Sequence, residues 1–76
     1  MMNNEFSVAL GKYCAEIRRS TGYSQADVAK ECGCTKANVS AFERGLNRNT
    51  SIFGWYVYYC SFNYDQFLER LNYEDI

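Results

Sequence analysis

Two helix signals stand so close together in this chain that the segment between them has few ways to turn. Gly33 can close one helix in the left-handed conformation that favours glycine, and Thr35 is already placed to cap the next. A connection of about three residues, Gly33-Cys34-Thr35, gives the two helices no room to run antiparallel, so they cross steeply.

The start signal occurs three times. In Tyr23-Ser24-Gln25-Ala26-Asp27-Val28, Ser24 can cap and Asp27 can answer it, with Tyr23 and Val28 set to pack as a hydrophobic staple. Cys34-Thr35 with Asn38 and Val39 repeats the pattern, and Phe62-Asn63 with Gln66 and Phe67 repeats it again. Upstream, Phe6, Leu10, Cys14 and Ile17 recur at helical intervals and form one buried stripe, closed near Ser20-Thr21-Gly22. Residues 52–62 are strand-like in composition, yet Ile52, Trp55, Tyr56, Tyr59 and Cys60 keep helical spacing, which favours a helix over an interface strand. A last helix, about Tyr64 to Leu71, buries Phe67, Leu68 and Leu71, and residues 72–76 are expected to fray. The expected architecture is all-α: one domain over residues 1–76, a compact five-helix bundle. Its steep helix pair spans about 24–45 and its aromatic C-terminal helices about 51–71.

Composition removes several functions. A chain of 76 residues has room for one core and no separate sensor domain. There is no histidine, no carboxylate pair with a base partner and no glycine-rich phosphate loop, so an enzyme is not expected. Cys32-x-Cys34 is tighter than zinc-knuckle spacing, and Cys14 lies on the inward stripe; the cysteines read as small apolar core residues, with no metal or other cofactor. The longest apolar run, Ile52 to Cys60, has nine residues, too few to span a membrane. With no signal-peptide pattern at the start, the expectation is a cytoplasmic protein. The net charge of −1 hides an asymmetry: residues 12–48 carry seven bases against four acids, whereas from Asn49 onward only Arg70 opposes four acids. A basic working face on a soluble domain would be distributed in this way.

From Ser24 to Gly45 the chain resembles the helix-turn-helix of the lambda Cro and phage repressor family. Ser24-Gln25, Val28-Ala29, Gly33, Val39, Phe42 and Glu43-Arg44-Gly45 carry the likeness. Length and helical plan are also similar to the controller proteins of restriction–modification systems. Ala29 is small where the helices approach, Gly33 takes the turn, and Val39 and Phe42 hold the second helix on the first. The resemblance implies a recognition helix from Lys36 to Arg44 that enters the DNA major groove. With Val39 and Phe42 inward, Lys36, Ala37, Asn38, Ser40, Ala41 and Arg44 are the base-reading candidates. Lys36 suits guanine, and the two alanines suit thymine methyls. The family implies a phosphate grip by Gln25 and Arg48, with Lys12 and Arg19 as weaker candidates. Arg18 and Glu43 resemble a buried ion pair joining the first and third helices.

Eight aromatics lie between Phe53 and Phe67, more than one small core can absorb. Phe53, Tyr56, Val57 and Tyr58 are the candidates for a second, partner-facing surface, with a homodimer favoured. The expected function is a sequence-specific regulator of double-stranded DNA, a dimeric repressor on a palindromic operator, with no small-molecule ligand. The alternative is a protein-binding module, an antitoxin or inhibitor, that uses the aromatic and acidic C-terminal half.

Overall fold

The computed structural model describes the backbone of residues 2–75 and the side chains of residues 5–71. Five helices follow in order: α1 (Met2–Ser20), α2 (Gln25–Cys32), α3 (Lys36–Glu43), α4 (Thr50–Tyr59) and α5 (Tyr64–Asp75), with no strand among the described residues.

Each start after α1 has a side chain that satisfies a backbone N–H the helix leaves open. Ser24 Oγ accepts from the Asp27 N–H at 3.0 Å, and Asp27 Oδ2 accepts from the Ser24 N–H at 2.9 Å. Thr35 and Asn38 make the same reciprocal pair, at 3.2 and 3.3 Å. Asn63 Oδ1 caps α5 through the Gln66 N–H at 2.9 Å. Asn49, a cap that the sequence pattern did not flag, accepts from the Ile52 N–H at 3.1 Å and starts α4. Gly33 closes α2 at φ 68°, so the α2–α3 turn is the short one expected.

Two clusters make the core. Cys14, Val28, Ala29, Val39, Phe42, Ile52, Trp55, Tyr56 and Cys60 join α1 to α4, and Ala9, Tyr13 and Phe67 join α1 to α5. The second cluster alters the sequence reading of α1. Because α5 folds back on it, α1 buries two stripes, and Tyr13 is as enclosed as Cys14. The Tyr13 hydroxyl donates to Gln66 Oε1 at 2.9 Å and accepts from the Asn63 N–H at 3.3 Å. Phe6, expected inside, is partly exposed at the edge of this cluster with its ring edge-on to Phe67. Leu68 and Tyr59 also keep surface in solvent, since one neighbour covers only part of a helix's circumference. α4 ends three residues before Phe62, where Ser61 at φ 54° turns the chain back. α5 runs past Leu71 to Asp75, and Ile76 lies outside the described residues.

Backbone approach sets the position of α3. A Cβ on Gly11 would stand 2.4 Å from the Glu43 carbonyl oxygen, and one on Gly45 2.7 Å from the Val8 nitrogen. Gly45 also sits at φ 80°. The C-terminal end of α3 is therefore clasped against α1 with no side chain between the backbones.

Candidate nucleic-acid interface

Helix α3 turns Val39 and Phe42 into the core, which leaves Lys36, Ala37, Asn38 and Arg44 exposed and Ser40 and Ala41 partly covered. Lys36 is the first residue of the helix and is exposed. Asn38, exposed on the same face, also belongs to the helix cap. Its carboxamide oxygen is committed to the cap, 2.6 Å from Thr35 Oγ1, and its main-chain oxygen accepts from Asn47 Nδ2 at 3.2 Å.

Beside this face, α1, α2 and α3 enclose a groove of about 290 Å³. Lys12 and Arg19 come to it from α1, Gln25 from the first turn of α2, and Ser40 and Arg44 from α3, with Glu16 on the α1 side. Residues far apart in sequence thus share one concave basic surface. Arg48 does not join them. It borders a separate apolar hollow of about 500 Å³ floored by Phe6, Leu10, Phe42 and Phe53.

Under the groove lies a buried carboxylate. Arg18 donates from Nε to Glu43 Oε2 at 2.7 Å and from Nη2 to Oε1 at 3.1 Å, and its remaining nitrogen reaches the Tyr23 carbonyl at 2.9 Å. Gln25 Nε2 donates to Glu43 Oε1 at 2.9 Å, and the Tyr56 hydroxyl donates to Oε2. Burial alone would push the Glu43 carboxyl up, but the bonds from Arg18, Tyr56 and Gln25 outweigh it and hold it below the ordinary range. The same contacts act in reverse on Tyr56: burial first, then the neighbouring carboxylate, push its phenol well above its usual value. Gln25, expected to face phosphate, thus has one amide hydrogen engaged by Glu43.

Tyr56 is a correction to the expected partner surface. It is 0% exposed, stacked 5.6 Å from Phe42, and belongs to the core network. Its place on the Ile52–Tyr56 stripe was the available signal, masked by the surplus of aromatics around it. Phe53 is half-buried against Phe42 and Phe62. Val57 and Tyr58 do face outward, at 46% and 79% exposure. Cys14 and Cys60 are buried in the core, Cys32 and Cys34 are partly covered, and all four are free thiols. Burial, then the nearby Glu43 charge, raises the Cys14 thiol far above its usual range. Among the described residues no helix is long and apolar enough to cross a membrane.

No curated protein and no solved structure matches the chain significantly. The helix-turn-helix family profile matches residues 15–53, just over half of the sequence, from the last turns of α1 into α4. With its capped α2–α3 pair and its outward α3 face, the chain belongs to the helix-turn-helix family of the Cro and repressor type, a family of DNA-binding transcriptional regulators.

Proposed function

We propose that the chain acts as a dimeric repressor that reads a palindromic operator with α3. The observation that supports this most directly is the convergence of Lys12, Arg19, Gln25, Ser40 and Arg44 on one groove beside the C-terminal half of α3. DNA backbone lies against such a groove while the N-terminal turn of α3 enters the major groove. Lys36 donates to guanine O6 and N7, and Ala37 and Ala41 meet thymine methyls. Glu43 takes one hydrogen of the Gln25 amide, and the other serves a phosphate oxygen. Arg48 makes a separate backbone contact. With Asn38 tied to its cap and two alanines on the reading face, few side chains recognise bases, and DNA shape carries part of the specificity. Two copies would set their α3 helices about 34 Å apart, one turn of the duplex. Repression then follows from occupancy of the operator.

The test is fluorescence anisotropy on DNA from just upstream of the gene, against a scrambled duplex, with salt stepped from about 50 to 200 mM. Tight binding to the upstream DNA at the higher salt, with two chains per site, is expected. Equal binding to both duplexes that salt erases, or no binding, would reject the operator reading. It would favour the protein-binding module instead, for which the exposed Tyr58, Tyr59 and Tyr64 are the supporting observation.

A further inference from the structure

We infer that two copies of the chain meet through α4, crossing backbone to backbone at Gly54. The inference rests on the dimer reading above and assigns that dimer its contact.

The starting point is a glycine that its own protomer does not need. Gly54 lies inside a ten-residue helix, where glycine is a poor helix former. Gly11 and Gly45 are held to glycine by backbone on the other side of the gap, and Gly45 also by its positive φ. At Gly54 a Cβ would meet nothing within 4 Å, and its φ is an ordinary helical one. On a wheel of 100° per residue, Gly54 stands opposite the buried set Ile52, Trp55 and Tyr56. Thr50, Ser51, Val57 and Tyr58 flank it, all of them exposed. The most open line of α4 therefore has a bare backbone at its centre with an aromatic ring beside it. Such a line lets another helix approach closely.

The occupant follows from charge and area. No charged residue occurs from Asn49 to Tyr64, so this face has nothing to attract an acidic or basic partner and nothing to repel itself. A two-fold axis through Gly54 makes an isologous contact, with Tyr58 of each copy against Thr50 and Ser51 of the other. The phenol ring covers apolar surface while its hydroxyl meets theirs. At roughly 200 Å² per aromatic side chain, Tyr58, 79% exposed, offers about 160 Å² on this line. That is about a fifth of the ~800 Å² each partner contributes to a stable interface. Val57, Thr50, Ser51 and the bare backbone add to it.

Sedimentation of the full chain over a wide concentration range tests this, using Gly54→Ala, Gly54→Leu and Tyr58→Ser. Leu46→Ser, at an exposed apolar residue outside α4, is the control. All three positions are exposed, and circular dichroism verifies that each variant folds. The expected result is a wild-type dimer weakened at least tenfold by Gly54→Ala and by Tyr58→Ser, abolished by Gly54→Leu, and unchanged by Leu46→Ser. A Gly54→Leu protein that dimerises like wild type would overturn the α4 crossing while leaving the dimer itself intact. A wild-type chain that stays monomeric at every concentration, and binds its operator as one copy, would overturn both.

Discussion

Glu43 gathers donors from three other helices: Arg18 of α1, Gln25 of α2 and Tyr56 of α4. A carboxylate this enclosed is tolerable only because its charge is answered on both oxygens. Its folded pKa is depressed below the ordinary value of 4.5. The stabilisation is therefore complete above that value and is lost as the pH falls through the folded pKa. Thermal unfolding followed by circular dichroism should give a midpoint insensitive to Glu43 from pH 7 to 5, then a decline below about pH 4.5. Tyr56→Phe keeps the ring stacked on Phe42 but removes a hydrogen bond to a charged group. It should cost about 1.5–3 kcal/mol in denaturant unfolding, with the fold retained. The Arg18–Glu43 pairing was legible through family likeness. The part played by Tyr56 was not, because a tyrosine on an apolar stripe gives no local sign that a charge waits for its hydroxyl on another helix.

The elements were most readable where their determinants are local. Ser24, Thr35 and Asn63 each cap a helix through a residue three positions on, so a short window of sequence contains the whole interaction. The end of α4 at Tyr59 was less readable, since apolar spacing continues to Phe62 and only the turn at Ser61 stops it. The clasp of α3 on α1 had no local signal, because Gly11 faces a carbonyl 32 positions away. It yields a prediction opposite in sign to helix propensity. At an open helical site, Gly→Ala gains up to about 1 kcal/mol. Gly11→Ala should instead destabilise by about 1–3 kcal/mol or more in denaturant unfolding, since backbone must move to admit the methyl group.

Across the whole molecule, charge is segregated by position. The bases of residues 12–48 include three on the groove beside α3, whereas the excess of acid lies beyond residue 49. The candidate DNA-facing residues were legible as a set. Their division into a groove group and a separate Arg48 was not, because it depends on how α1 lies across the helix pair. Two substitutions should separate base reading from backbone grip in anisotropy titrations. Lys36→Ala should lose about 1–3 kcal/mol on the operator and relax discrimination at one base pair. Arg19→Ala should weaken binding to operator and scrambled DNA alike, and lower the salt slope by about one.

The two-cluster core also bears on the order in which the molecule comes apart. α5 is anchored by Phe67 against Ala9 and Tyr13, away from the cluster that holds α2, α3 and α4 together. Other ties of α5 to α1, among them the Tyr13–Gln66 hydrogen bond, the Arg70–Glu16 ion pair and the Phe6–Phe67 ring contact, likewise involve no residue of the α2–α3 pair. Elements secured by a small separate cluster open at lower free energy than the main core. In native-state deuterium exchange, the α5 amides should therefore label well before those of α2 and α3. Such breathing would give proteases early access to the C-terminal helix while the DNA-reading pair stays folded, so degradation of the regulator would begin at α5.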